Sequence, residues 1–95
     1  MSFLDAVVET WNEKNTISLS STLKRAEDNS KLIIEIQTTK YLATIDAWEH
    51  ASCLDVTVFE LSSKKVTVYS AAECETLEIM KARIAQLFEV VASHE

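Results

Sequence analysis

Between Asp46 and Glu60 the chain carries four carboxylates, Asp46, Glu49, Asp55 and Glu60, with Trp48 and Phe59 among them and no lysine or arginine. Carboxylates at this spacing suit two chemistries. One is general acid–base work of the glycosidase kind, which needs a cleft that desolvates one acid and raises its pKa. The other is recognition of a basic partner, in which carboxylates steer the encounter and aromatic rings supply contact energy. The remaining reactive groups are His50 and Cys53, three apart, with Cys74 and His94 far along the chain. A structural Cys2His2 zinc site needs four ligands and usually shows two close pairs; here there is one. Nothing marks an oxyanion hole or the third member of a Cys–His nucleophile. The expectation is therefore no catalytic residue, no metal and no cofactor.

Composition narrows the field further. The 95 residues include no glycine and no proline, where average usage would supply about seven and about five. A P-loop, a G-x-G-x-x-G turn, a nucleophile elbow and an EF-hand all need glycine, so all four are excluded. The net charge is −6, from nine basic and fifteen acidic residues. Binding nucleic acid needs clustered Lys and Arg, and the two basic doublets, Lys24-Arg25 and Lys64-Lys65, sit at hairpin ends as solvated turn charges. No apolar run is long enough for a membrane span. The start lacks a secretory signal pattern, and two cysteines make no disulfide framework. The chain is expected to be a single cytoplasmic domain over residues 1–95, with Cys53 and Cys74 reduced and packed as small hydrophobes.

The elements that must position the acids follow from periodicity. Ser2 and Asp5 form a capping box, and Phe3, Leu4, Val7, Val8 and Trp11 share one face of a helix over 3–14, with Thr10 on the wetter side. Asn15 is expected to stop it in a left-handed conformation. The period then changes to two. Ile17, Leu19, Ser21 and Leu23 mark a half-buried strand, and Glu27 to Ser30 a turn with Asn29 left-handed. Lys31–Thr38 is the most apolar strand and is expected to be central and covered on both sides. Strands over 41–49, from Leu54, and across Val66 and Val68 follow, with Val66 and Val68 facing in and tight turns at 38–40, 50–52 and 62–64. The last helix is expected over 73–92, with Leu77, Met80, Ile84, Leu87, Phe88 and Val91 as its core stripe and Ser70 or Thr76 as cap.

Short links make sequence neighbours pair antiparallel. The predicted fold is α+β, an antiparallel five-stranded meander sheet with the N- and C-terminal helices packed on one face. The opposite face is left free. Alternation puts Asp46 and Trp48 on it from one strand, Asp55, Thr57 and Phe59 from the next, and Tyr69 from the fifth. Hairpin pairing is expected to set Trp48 and Phe59 beside Asp46 and Asp55, and Glu49 and Glu60 complete the candidate partner-binding set. An exposed apolar patch rimmed by charge is a mark of a protein-binding surface.

Tyr41-Leu42-Ala43-Thr44-Ile45-Asp46-Ala47-Trp48-Glu49, followed by Leu54-Asp55-Val56, a further strand and an acidic-led helix with Leu77, resembles the small immunity proteins of bacterial polymorphic toxin systems. The likeness is to the TriTu family and, more loosely, to immunity proteins of contact-dependent growth inhibition, and it runs over roughly residues 3 to 92. A glycine often stands in that family's turn where this chain has His50-Ala51-Ser52. The resemblance implies a cytosolic antidote, monomer or weak dimer, that binds one cognate protein toxin, often a nuclease, and is not an enzyme. Many toxin domains that cut RNA or DNA are basic because they bind phosphates, so an acidic inhibitor suits them. The competing expectation is a small acidic secretion chaperone, an obligate dimer that holds an effector segment along a sheet edge or groove.

Overall fold

The computed structural model describes residues 2–15 and 19–92, apart from the side chains of Val68, Ser70 and Ala72. Ile17 and His94 lie outside the described residues.

Helix α1 spans Phe3–Lys14. Two of its free N–H groups are satisfied by side chains: Ser2 Oγ accepts from the Asp5 N–H at 3.1 Å, and Glu49 Oε2 accepts from the Phe3 N–H at 3.0 Å. Phe3, Leu4, Val7 and Trp11 are buried as their spacing predicts. Thr10 is buried too, against expectation, because its Oγ1 donates to the Ala6 carbonyl at 2.8 Å and needs no water. Asn15 ends the helix with φ −82° rather than in the left-handed region. Its side-chain amide instead clamps the Leu19 backbone, accepting from the N–H at 2.7 Å and donating to the carbonyl at 3.2 Å.

The strands are β1 (Ser21–Arg25), β2 (Lys31–Gln37), β3 (Tyr41–Trp48), β4 (Cys53–Glu60) and β5 (Lys65–Glu73). They form one antiparallel sheet in sequence order, the expected meander. β3 is the central strand, and β2 lies one in from the edge. β2 is covered on one side only: Leu32, Ile34 and Ile36 are buried, while Lys31 and Ile33 are half-buried and Glu35 is exposed. β1 is short and exposed, with Leu23 at 47% accessibility instead of the expected half-burial.

Helix α2 spans Leu77–Ala92, with Thr76 Oγ1 accepting from the Ile79 N–H at 3.2 Å. It starts later than the sequence suggests. The β4–β5 ladder runs on through Glu73 to Cys74, whose N–H donates to the Ser52 carbonyl, so no helix forms at 73. The late start also leaves Leu77 on the exposed side, at 49% accessibility, outside the core.

Both helices lie on the same side of the sheet. Leu4, Val7, Met80, Ile84 and Leu87 meet Leu32, Ile34, Ile45, Leu54, Val56 and Val58 in one core. Trp11 and Phe88 join the helices edge to face, with ring centres 6.1 Å apart. Each large side chain buried here contributes about 1.5–3 kcal/mol before chain entropy is counted. Among the described residues no helix is long and apolar enough to cross a membrane.

Among the described residues, four in turns take positive φ without glycine: Asn29, as expected, together with Ala51, Ser52 and Lys64. Each non-glycine residue held there costs about 1 kcal/mol, less for Asn.

Candidate functional site: the open sheet face

Register lays out the open face as rows across the strands. The central row is Lys24, Ile33, Asp46, Asp55 and Ala71, in strand order. On one side lies Thr22, Glu35, Thr44, Thr57 and Tyr69; beyond it lies Gln37, Leu42, Phe59 and Val66. On the other side lies Lys31, Trp48, Cys53 and Glu73. Neighbouring residues in a row stand about 5 Å apart, and rows about 6.7 Å.

Asp46 and Asp55 are therefore direct cross-strand partners in the middle of the sheet, as the alternation predicts. Trp48, Thr57, Phe59 and Tyr69 share that face, with Tyr69 at 69% accessibility. The face is not one compact cluster, however. Trp48 pairs with Cys53 and Phe59 with Leu42, so the two aromatics lie three rows apart, roughly 20 Å. Only Trp48 flanks the acid pair; Phe59 anchors the far end with Leu42 and Val66. The expectation that Trp48 and Phe59 sit together beside the carboxylates is corrected accordingly.

Two further candidates leave the set. Glu49 follows the last residue of β3 and spends its carboxylate on the Phe3 N–H, so it caps α1. Glu60 pairs with buried Tyr41 and lies on the helix-side parity of β4, with Ser62 Oγ donating to it at 3.4 Å. Val66 moves the opposite way. A bulge between Val58 and Phe59 shifts the register, Val66 pairs with Phe59, and it stands 55% accessible rather than facing in.

Sequence reasoning missed Lys31, Ile33 and Glu35, because the apolar run of β2 imitates a strand covered on both sides. Their signal was present: Lys31, Glu35 and Gln37 alternate with Leu32, Ile34 and Ile36. Lys31 matters to the electrostatics. Its Nζ sits 4.8 Å from the Trp48 ring centre, holding the indole in a cation–π contact. The Asp46 carboxyl is pushed above its ordinary value, chiefly by burial; the Lys31 charge pulls it down, and Asp55 and Glu35 push it up again. The face is thus polarised. A shallow basic hollow of about 260 Å³, lined by Lys24, Arg25, Lys31 and Ile33, marks the β1–β2 hairpin end. Glu35, Asp46, Asp55 and Glu73 spread negative charge across the rest.

No cleft is built around the acid pair among the described residues. A hollow of about 490 Å³ lies between α1 and β1, lined by Asp5, Glu9, Asn12 and Arg25, away from the open face. There Arg25 Nη1 meets Asp5 Oδ1 at 2.8 Å, an exposed pair that solvent screens and that adds little to stability. Both cysteines are free. Cys53 lies half-buried beside Trp48, whereas the Cys74 thiol is pushed up by burial, with Arg83 Nη1 3.8 Å away pulling the other way. Among the described residues no three His, Cys, Asp or Glu side chains gather closely enough to hold a metal ion.

No family model, curated protein or solved structure matches the chain.

Proposed function

We propose that the protein is an inhibitor of the immunity type, which binds a cognate basic toxin domain, a nuclease by preference, through its open sheet face. The observation that supports this most is the opposition of Asp46 and Asp55 at the centre of an uncovered sheet. Two carboxylates on directly opposed residues, whose backbones stand about 5 Å apart, repel each other in the free protein and disfavour the pairing they sit in. A partner's lysine or arginine placed between them relieves that repulsion, so binding gains more than one ordinary surface ion pair would give. Trp48, held by Lys31, offers a rigid aromatic surface next to the acids, and Tyr69 and Phe59 extend the contact across the strands. A face carried on strands that are backed by a packed core also has little to order on binding. The net charge of −6 speeds the approach of a basic partner.

The test is co-expression with the toxin domain encoded beside this gene, followed by affinity measurement. The expected result is a stable one-to-one complex of sub-nanomolar affinity that protects cells from the toxin. Trp48→Ala and Asp55→Lys should each weaken it at least about 100-fold, the scale of an interface hot spot. A complex that ignores both substitutions removes the open face as the site, and no binding to any neighbouring toxin domain removes the reading altogether.

A further inference from the structure

Beside the acid pair the open face holds a shallow hollow of about 290 Å³, whose lining includes Ser20, Thr22, Glu35, Gln37, Leu42 and Thr44. Alternation explains it. Glu35 and Gln37 on β2 and Leu42 on β3 carry long side chains, whereas Thr22 and Thr44, which flank Glu35 in its row, are short. The backbone of the Ile36–Ala43 pair, whose side chains are buried on the helix side, forms the floor. The chemistry of the lining is one-sided. It offers oxygen acceptors from one carboxylate, one amide and several hydroxyls, with Leu42 as an apolar wall and no lysine or arginine. Among the described residues none of these polar side chains hydrogen-bonds another protein group. Lys24 lies diagonal to Glu35 across the β1–β2 ladder but forms no salt bridge with it. The Asp46 carboxyl is raised by burial and, less, by Asp55 and Glu35, so Glu35 and the acid pair belong to one negative tract.

We propose that this hollow seats an arginine side chain of the partner, with the guanidinium on Glu35 and the stem against Leu42. The proposal rests on the open-face reading and names a residue type which that reading leaves open. Charge complementarity sets the sign of the guest, since the lining supplies one full negative charge and otherwise only neutral groups. Size sets its scale. The hollow falls just below the roughly 300–1,000 Å³ of pockets that hold drug-sized ligands, and suits a single side chain. Geometry selects arginine over lysine. The acceptors stand on neighbouring strands about 5 Å apart, so a planar fork of five N–H groups reaches more of them than a compact ammonium does. An ammonium is also more strongly hydrated and gains less beside an apolar wall. Glu35 is exposed, so its charge alone contributes only a modest factor, and the hydroxyls, the amide and Leu42 supply the rest. The rows of Glu35 and Asp46 are about 6.7 Å apart. A partner with one basic residue between Asp46 and Asp55 and an arginine here therefore meets two anchors at once.

The experiment is a titration of the isotope-labelled whole chain with N-acetyl-L-argininamide, up to about 100 mM at constant ionic strength, followed by amide chemical shifts. The expected result is saturable movement centred on the amides of Thr22, Glu35, Gln37 and Thr44, with a dissociation constant between about 1 and 50 mM. Glu35→Gln should weaken it about five-fold. The lysine analogue, N-acetyl-L-lysinamide, should bind at least about three-fold more weakly, and the uncharged citrulline analogue should give no saturable shift. Shifts that never saturate, or that Glu35→Gln leaves unchanged, overturn the proposal. So do shifts that centre on Asp46 and Asp55 and vanish in Asp55→Asn, and so does equal binding of the lysine or citrulline analogue. The affinity measurement with the neighbouring toxin domain separates this failure from that of the wider reading. Glu35→Gln should weaken that complex about five-fold as well. A complex that needs Trp48 and Asp55 yet ignores Glu35→Gln sinks the arginine seat alone. A toxin domain that does not bind at all sinks the open-face reading, and the titration still decides whether the hollow takes a guanidinium.

Discussion

β2, β3 and β4 contribute alternate residues to two faces that differ in almost every physical respect. On the helix side stand Leu32, Ile34, Ile36, Ile45, Leu54, Val56 and Val58, nearly all without solvent contact. On the open side stand Lys31, Glu35, Thr44, Asp46, Trp48, Asp55 and Thr57, of which Glu35 is exposed and the rest half-buried. The helix side carries the folding energy, and apolar volume is what it needs. The open side tolerates two facing carboxylates, an arrangement that weakens a sheet, because the core beneath supplies enough stability to hold the strands in register. That division leaves the open side free to be selected for contact.

The sharpest way to break this comparison is to exchange the expected costs. Leu54→Ala should lose about 2–5 kcal/mol, read as a fall in the urea midpoint, since it leaves a cavity under α2. Thr57→Ala, three residues along the same strand on the other side, should stay within about 0.5 kcal/mol. Similar losses for both would mean that the open face is also structural. Glu49 tests the boundary between the two. Glu49→Gln should lose about 1 kcal/mol, because the Phe3 N–H at the start of α1 then faces a neutral acceptor, and should leave partner affinity within about two-fold. A large affinity loss with unchanged stability would return Glu49 to the binding set.

Much of this arrangement is legible in the sequence, for local reasons. The α1 cap, the period-two strands and the Asn29 turn each depend on residues within a few positions of one another, so the α+β meander and the Asp46–Asp55 pair follow from spacing and short loops. The misplacements share a different cause. Glu49 caps a helix 46 residues away, a contact with no local signature. Leu77 is exposed because the strand ladder continues through Cys74 and delays the helix. Val66 changes sides because one bulge inverts the alternation beyond it. The run Leu32-Ile33-Ile34 imitates a strand buried on both faces, and only the charged residues at 31 and 35 correct it. Phe59 is on the right face but at the wrong end of it, since Trp48 adjoins the β3–β4 turn while Phe59 lies near the open end of that hairpin.

The turn between β3 and β4 sets the row in which the acids meet. Ala51 holds φ 57° and ψ 14° there, a conformation that suits glycine better. Ala51→Gly should raise stability by about 0.5 kcal/mol, measured by thermal unfolding, without moving the register. A loss of stability would show that the unfolded chain's added freedom outweighs the relieved strain.

The smallest effect concerns Asp46 itself. Its carboxyl binds a proton more tightly in the folded protein than its ordinary value of 3.8, so the unfolded chain ionises first as pH rises. Asp46 therefore costs nothing below that value, and its penalty grows as pH climbs through the raised one and is complete above it. Asp5 and Asp28 act in the opposite sense. Hydrogen bonds, from Arg25 to Asp5 and from Ser30 to Asp28, hold their carboxyls low, and their contribution is lost as pH falls through those lowered values. The parent's stability profile mixes both signs, so the informative quantity is the difference between Asp46→Asn and the parent. That difference should be near zero in acid and rise to roughly a few tenths of a kcal/mol in favour of the variant at neutral pH, the solvent-screened balance of burial, the largest cause, with the repulsion of Asp55 and Glu35 and the pull of Lys31. Lys31 is the rival influence. If its attraction for Asp46 outweighs desolvation and the repulsion of Asp55, the variant will be the less stable protein at neutral pH, and the strained acid pair at the centre of the open face will have to be given up.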